Sequence, residues 1–287
     1  MGGMDIGIGL PNTMTEAGPL IADWARRAEE RGFATLATID RIVYPSCDSL
    51  TALAVAAGAT SRIGLFTDIL LAPAYPPVWL AKATASLDAM SHGRLTVGVG
   101  VGGRPDDYAA MDRPFDRRGR LMDETLDLLT RAWAGESVTG DDFPVGPTPA
   151  KGNRIPVLVG GTVPAAIRRV VAYGDGWTAG GGSPDRTAPM IEQVRQAWRA
   201  AGREGEPRIA ALVYFGLGDV EVSKASLRSY YGFLGQWTDM IVESAVRAPA
   251  AVKDIARGFA DIGVTDLVFD PTVPELEEVD RLADAVL

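Results

Sequence analysis

The stretch PVLVGGTVPAAIRRVVAYGDGW, residues 156–177, contains one complete unit of the pattern that decides the fold. Its first apolar residues are large aliphatics of the kind that favour a buried strand, and Gly160 and Gly161 end that strand. Apolar residues then recur at helical spacing, and Thr162 is expected to open the helix as its N-cap. A second strand is predicted to begin near Asp175. The order is therefore strand, glycine loop, helix and strand.

The same alternation continues in both directions and gives eight strand and helix pairs. The strand candidates are residues 4–10, 33–39, 63–71, 94–100, 155–160, 175–180, 208–216 and 265–270. Several of them are apolar on both faces, as expected for a parallel sheet that helices cover. Eight such units predict an α/β protein, a (β/α)8 TIM barrel that forms one domain over residues 1–287. A doubly wound open sheet is the alternative.

Two segments are longer than a plain barrel needs. Residues 135–154 are rich in Gly, Pro and Asp and predict a long loop between the fourth helix and the fifth strand. Residues 217–248 contain more helical patterning than one crossover requires. We expect part of this second insertion to cover the carboxyl-terminal face of the barrel and to act as a lid.

The composition excludes several classes of function. The net charge is −9 and the basic residues are scattered, so we expect no nucleic-acid partner and no membrane partner. Cys47 is the only cysteine and His92 the only histidine, which argues against disulfides, a zinc site and a Ser-His-Asp triad. Without a recognisable leader or a run of about 20 apolar residues, the chain is expected to be cytoplasmic and to act on a small molecule.

The loops after the fourth and fifth predicted strands are rich in glycine. Such loops let backbone N–H groups approach a ligand, and a helix N-terminus adds a favourable dipole for a phosphate. The candidate cofactor-binding residues are Gly100, Gly102, Gly103 and Arg104 after the fourth strand, and Gly160, Gly161 and Thr162 after the fifth. These loops predict a phosphorylated cofactor. The alternative is that the glycines only let helices pack closely on the barrel.

Asp40 and Arg41 follow the second strand and are the first candidates for acid and base chemistry. Adjacent opposite charges stabilise each other's ionised forms and can offer a fixed hydrogen-bond donor. Tyr44 lies in the same loop and is the third candidate catalytic residue. A solvated loop charge or a capping group is the alternative for each of them.

Five blocks of the sequence resemble the luciferase-like monooxygenase superfamily. They are ARRAEERGFATLATIDR (25–41), DSLTALAVAAGATSRIGLFTDILL (48–71), PPVWLAKATASLDAMSHGRLTVGVGVG (76–102), FDRRGRLMDETLDLLTRAW (115–133) and PVLVGGTVPAAIRRVVAYGDGW (156–177). The likeness covers about residues 4–180. It implies a barrel that binds FMN or the deazaflavin coenzyme F420, with the ring across the barrel mouth.

The resemblance also implies roles for particular residues and a quaternary state. The phosphate is held by the two glycine loops named above, and Asp68 and Ile69 contact the ring through a non-proline cis peptide bond. Members of this family are often homodimers, and FMN-dependent monooxygenases of the family depend on a separate flavin reductase. We therefore expect a homodimer, with a flavin reductase as a partner if the cofactor is FMN.

Three positions depart from the family pattern. The common Asp-His pair is Asp40 and Arg41 here, and arginine cannot act as an ordinary base, so Arg41 or Tyr44 would polarise the substrate. Gly103 stands where related sugar-phosphate dehydrogenases have an acidic residue, and Val101 where luciferases have a phosphate-binding arginine. The missing histidine and the missing luciferase-type arginine favour F420 slightly over FMN, whereas Gly103 argues against a close relative of the sugar-phosphate dehydrogenases.

The expected function is an oxidoreductase that moves two electrons between reduced F420 and a small hydrophobic organic substrate. An FMNH₂-dependent monooxygenase that uses O₂ is the first alternative. A barrel that binds flavin without turnover and a phosphate-binding isomerase are the others.

Overall fold

The computed structural model describes residues 3–138, 140 and 143–287. Its eight strands form a closed barrel in sequence order, and each strand is parallel to its neighbours. The strands are β1 (Asp5–Gly9), β2 (Thr35–Thr38), β3 (Gly64–Leu70), β4 (Leu95–Val99), β5 (Val157–Gly160), β6 (Gly176–Ala179), β7 (Arg208–Phe215) and β8 (Asp266–Pro271). The predicted barrel is confirmed, and pairing of β8 with β1 excludes the open sheet.

In the described part of the chain the helices are α1 (Ile21–Arg31), α2 (Ser49–Ala59), α3 (Pro77–Met90), α4 (Pro105–Ala110), α5 (Arg118–Trp133), α6 (Pro164–Tyr173), α7 (Pro184–Ala200), α8 (Val220–Tyr231), α9 (Thr238–Ser244), α10 (Pro249–Asp261) and α11 (Glu277–Val286). Eight of them form an outer ring in which each packs against the next: α1, α2, α3, α5, α6, α7, α10 and α11. No helix formed by the residues that the structure describes is long and apolar enough to cross a membrane.

Proline sets the start of several helices and corrects one predicted boundary. Helices α3, α4, α6, α7 and α10 each begin at a proline, whose fixed φ suits the first turn and whose missing N–H would have no partner there. A residue before proline is disfavoured in helical conformation, so Val163 is extended, with φ −84° and ψ 155°. The prediction that Thr162 is the N-cap of α6 was therefore wrong by one residue, because Val163 holds that position, although Thr162 still lies beside the helix start.

Apolar packing fills both the space around the barrel and the barrel itself. The larger cluster lies between the strands and the ring of helices. A second cluster fills the barrel interior with Phe66, Leu158 and Val268, and it extends to Leu227 and Val242 of α8 and α9. The helices inserted after β7 are thus packed on the interior of the barrel.

An ion pair occupies the amino-terminal end of the barrel interior. Arg208 donates to both carboxylate oxygens of Asp266, at 2.9 and 2.6 Å, and also to Thr96 Oγ1 at 3.1 Å. Burial opposes charge on the guanidinium, but the hydrogen-bonded Asp266 raises the pKa of Arg208 overall. These contacts fill the amino-terminal end with paired polar groups.

Both predicted insertions are present. The loop between α5 and β5 is irregular where it is described, and positions 139, 141 and 142 lie outside the described residues. Residues 217–248, called the lid below, form α8, a 3-10 segment (Gly232–Trp237) and α9. The chain leaves and rejoins β7 at one point, because Gly216 N–H donates to the Val246 carbonyl at 3.0 Å and Val246 N–H donates to the Tyr214 carbonyl at 2.8 Å.

Candidate functional site

A cavity of about 700 Å³ opens at the carboxyl ends of the strands, where barrels of this class place their active sites. Its lining comes from the ends of β2 to β7, from the first two turns of α7 and from the lid. Nine of the predicted site residues line it: Asp40, Asp68, Ile69, Gly100, Gly102, Arg104, Gly160, Gly161 and Thr162. Arg41, Tyr44 and Gly103 are not among its lining residues. The lid contributes Tyr230, Tyr231, Met240, Ile241 and Ser244, so the prediction that it covers the mouth is confirmed.

The glycines after β4 are required by close packing against β3. A Cβ added to Gly100 would lie 2.1 Å from Ile69 Cδ1, and one added to Gly102 would lie 2.6 Å from Leu71 Cδ2. Gly102 also has a φ of +65°, which L residues with side chains rarely adopt. These two glycines therefore let the side chains of Ile69, on β3, and Leu71, directly after it, form the cavity floor. This is a packing role, but against the neighbouring strand and not against a helix as the alternative had it.

The loop after β5 has a backbone shape that only glycine adopts easily. Gly161 has a φ of +112°, and its carbonyl accepts a 2.8 Å hydrogen bond from Trp177 Nε1 of β6. The loop is exposed from Gly161 to Pro164, directly before the N-terminus of α6. A phosphate placed here would meet backbone N–H groups and the positive end of the helix dipole.

A third glycine loop, which follows β6, was not among the predicted cofactor-binding residues. Gly180, Gly181 and Gly182 line the cavity, and the last two have φ values of +65° and +126°. Arg186, in the first turn of α7, lines the cavity with them. The sequence GGGSPDR, residues 180–186, could have indicated this loop, because it has glycines followed by a helix start in the same order as the segment after β5.

The two arginines that line the cavity differ in what they are free to bind. Arg104 donates from Nε to Asp107 Oδ2 at 2.6 Å and from Nη2 to the Asp40 carbonyl at 3.3 Å. Arg186 makes no ion pair with any described residue, and its hydrogen-bond contact is Met240 Sδ at 3.5 Å. Arg186 is therefore the better placed of the two to bind an anion.

Asp40 is buried and holds the end of β3 in place. It accepts a hydrogen bond from Leu71 N–H at 2.9 Å and from the Tyr75 hydroxyl at 3.0 Å. Burial raises the pKa of Asp40 to about 6, and the hydrogen bonds from Leu71 and Tyr75 oppose that rise. Asp40 thus acts on the cavity through the loop that it fixes.

The predicted pairing of Asp40 with Arg41 is corrected by the structure. Arg41 donates from Nη1 to the Tyr230 carbonyl, and its guanidinium lies against the rings of Tyr44, Tyr230 and Phe233, at 4.5, 5.2 and 5.2 Å. Aromatic faces attract a guanidinium, and the Asp40 carboxylate is already satisfied by other donors. The side chains of these two adjacent residues therefore make separate contacts.

Arg41 and Tyr44 fasten the lid to the loop after β2. The Tyr44 hydroxyl shares a 2.6 Å hydrogen bond with Ser229 Oγ of α8. Since neither side chain lines the cavity, the geometry gives no support to the catalytic roles predicted for them. We interpret both as residues that position the lid.

The cavity floor contains a buried carboxyl group with an unsatisfied oxygen. Asp68 Oδ1 accepts a 2.7 Å hydrogen bond from Thr178 Oγ1, whereas Oδ2 has no partner in the described structure. The peptide bond between Asp68 and Ile69 is cis, as the resemblance implied. Burial raises the pKa of Asp68 to about 7.

A second carboxyl group, on β8, shares this buried region. Asp270 Oδ1 is buried without a partner among the described residues, and a Cβ added to Gly9 would lie 2.1 Å from it. Burial, and then the charge of Asp68, raise the pKa of Asp270 well above its usual range. Two coupled carboxyl groups away from water retain at least one proton at mildly acidic pH.

A family model described as luciferase-like monooxygenase matches residues 7–258. The chain belongs to the luciferase-like monooxygenase family. This luciferase-like chain is 32% identical over 206 residues to an uncharacterized protein of Mycobacterium tuberculosis, with 62% of this chain and 71% of that protein covered. It is 30% identical over 202 residues to an F420-dependent glucose-6-phosphate dehydrogenase of Nakamurella multipartita, with 64% and 59% covered.

Solved structures share the luciferase-like fold over nearly the full length of the chain. One is an F420-dependent secondary alcohol dehydrogenase in complex with an F420-acetone adduct, which has a TM-score of 0.80, 19% identity, and coverage of 99% of this chain and 98% of that one. F420 and FMN both occur in structures of this fold. The chain is an oxidoreductase of the luciferase-like type.

Proposed function

We propose that this luciferase-like chain binds F420 in the cavity and catalyses two-electron exchange with a small, largely apolar organic molecule. The observation that carries the proposal is the cavity itself. Three glycine loops form one wall, and apolar floor and lid residues such as Ile69, Leu212 and Ile241 form much of the rest. A volume of about 700 Å³ suits a ring system with a small substrate beside it.

The residues present fit a cofactor that has a flat ring and a phosphate. Ile69 and Leu71 present an apolar surface to the cavity, against which a ring would lie. The exposed loops before α6 and α7 would hold the phosphate, and Arg186 would neutralise negative charge. When bound, F420 supplies or accepts a hydride, which is chemistry that the side chains of the cavity cannot perform alone.

Two observations favour F420 over FMN. The relative from Nakamurella multipartita is named as F420-dependent, and it is similar to this chain over 202 residues. Arg104, which could have replaced the missing phosphate arginine at position 101, is engaged by Asp107. The alternative is an FMNH₂-dependent monooxygenase supplied by a separate flavin reductase, which the FMN complex among the structures of this fold supports.

The protein residues would orient the reactants and exclude water. Asp40 fixes the Leu71 amide and with it the floor of the cavity. Tyr230 and Ile241 of the lid cover the mouth, which lowers access of water to the reacting groups. Asp68, in the floor, would be about half protonated at neutral pH, because burial raises its pKa to about 7.

Equilibrium binding of F420 and FMN, each oxidised and reduced, to cofactor-free protein tests the proposal through ring fluorescence. We expect tighter binding of F420, followed by oxidation of reduced F420 when a suitable apolar substrate is added. A clear preference for reduced FMN, with oxygen consumption, would favour the monooxygenase. Binding of neither cofactor would refute both assignments.

Replacing Arg186 with alanine is expected to weaken F420 binding about tenfold, because a charge-assisted hydrogen bond to an anion contributes about 1.4 kcal/mol at a partly exposed site. The fluorescence titration should also become less sensitive to salt. Arg199→Ala is the matched control, since Arg199 lies on the same helix and pairs with Glu192 on the surface. Equal loss of affinity in both variants would show that Arg186 does not contact the cofactor.

A further inference from the structure

Two tyrosine hydroxyl groups meet at the wall of the cavity. Tyr214 lies on β7 and Tyr231 is the last residue of α8, and both line the cavity. Their hydroxyl oxygens share a hydrogen bond, and their rings pack edge to face with centroids 5.7 Å apart. The pair thus joins the barrel wall to the lid at a position that a bound substrate would reach.

One hydroxyl hydrogen of this pair has no acceptor among the described residues. Two neutral hydroxyl groups carry two hydrogens, and only one can lie between the two oxygens. Neither hydroxyl makes a second hydrogen bond with any group that the structure describes. Asp270 Oδ1, the nearby buried oxygen, has no donor. Since buried polar hydrogens are normally paired, the second hydrogen is available to an acceptor inside the cavity.

The surroundings of the pair favour a neutral acceptor. Burial raises the pKa of Tyr214 well above its usual range and that of Tyr231 to about 12, so both hydroxyls remain donors at neutral pH. Burial raises the pKa of Asp270 well above its usual range and so favours its neutral form, and Arg104 is already paired with Asp107, so neither side chain offers a free charge to a ligand at the pair. Leu212 and Ile241 supply apolar surface next to the pair.

We propose that the hydroxyl pair of Tyr214 and Tyr231 binds the oxygen of the substrate, and that the substrate is a small uncharged ketone or aldehyde, or the corresponding alcohol. This assignment rests on the proposed function. In the reductive direction the carbonyl carbon accepts a hydride whose source is reduced F420, and the electron pair of the C=O π bond moves to oxygen. That oxygen takes the free proton of the pair, which a solvent proton replaces, and the proton that reduced F420 loses together with the hydride goes to solvent. The alcohol and oxidised F420 are the products.

The test uses acetophenone labelled with ¹³C at the carbonyl, with infrared difference spectra recorded both without cofactor and with oxidised F420. In wild-type protein the bound carbonyl stretch is expected at lower wavenumber than in an apolar solvent, because a hydroxyl donates to it. Tyr214→Phe and Tyr231→Phe each keep one hydroxyl and should keep the shift. The double variant should lose the shift, and its kcat/KM for ketone reduction should fall about 100-fold or more.

Tyr173→Phe is the matched control, because Tyr173 lies on α6 away from this cavity. F420 affinity, measured by ring fluorescence, should be unchanged in all variants, and circular dichroism checks the fold. Retention of the shift in the double variant, or its absence in wild-type protein, would overturn the assignment. A third outcome separates the two proposals. If only the double variant loses the shift but the wild-type protein does not bind F420, the oxygen site is supported and the proposed cofactor is refuted.

Discussion

Replacement of Asp40 by alanine is expected to lower the free energy of unfolding by about 3 kcal/mol, because it leaves two buried donors without an acceptor. These donors are the Leu71 N–H and the Tyr75 hydroxyl, which lie 2.9 and 3.0 Å from the carboxylate. Leu71 also forms part of the cavity floor. The same change should therefore weaken binding of the cofactor about tenfold or more.

Denaturant unfolding and the fluorescence titration measure the two effects together. Asp40→Asn keeps one carbonyl acceptor and should recover much of the stability. Asp48→Ala is the control for general destabilisation, because Asp48 caps α2 through Thr51 N–H at 2.7 Å and its loss should cost about 1 kcal/mol. Cofactor affinity should survive in that control. Wild-type stability of Asp40→Ala would contradict the role given to the carboxylate.

Replacement of Asp68 by asparagine should raise the free energy of unfolding, relative to that of wild type, by about 4 kcal/mol as the pH increases from 4 to 8. Burial raises the pKa of Asp68 from 3.8 in an exposed chain to about 7 in the folded protein. Between these values the unfolded chain loses the proton while the folded protein retains it. The stabilising contribution of the carboxyl is thus complete below about pH 4 and is lost as the pH rises through about 7.

The measurement is the difference in unfolding free energy between Asp68→Asn and wild type at the two pH values. The asparagine oxygen can keep the hydrogen bond from Thr178 Oγ1, so the variant is expected to fold. Asp40 is present in both proteins, so its own titration cancels, and the difference reports Asp68 together with its coupling to Asp270. A difference that does not grow in favour of asparagine as the pH rises would refute the raised pKa.

The barrel could be predicted from sequence because its signal is local. Each strand is a short apolar run that glycine, proline or a polar residue ends, and no observed strand boundary differs from the predicted one by more than two residues. The boundary of α6 was wrong because the restriction that Pro164 imposes on Val163 was not considered. The glycine loops after β4 and β5 could be found for the same local reason.

The contacts of side chains in the site could not be predicted in this way. The direction of Arg41 depends on Tyr230 and Phe233, which lie about 190 residues further along the chain and reach it only when the lid folds back. The meeting of Tyr214 with Tyr231 depends likewise on how α8 packs against β7. Two opposite charges that are adjacent in the sequence suggest an ion pair. In the folded site, however, each charged group has several competing partners.

The two hydrogen bonds that join Gly216, Val246 and Tyr214 make the lid a segment with adjoining ends. A segment held in this way can lengthen, shorten or be exchanged at a small entropic cost, while the strands beneath keep their register. Substrate specificity and the stability of the barrel can then change independently, because much of the wall of the substrate pocket belongs to the lid. A chimera that receives residues 217–245 from a relative offers a direct route to a new substrate range on an unchanged barrel.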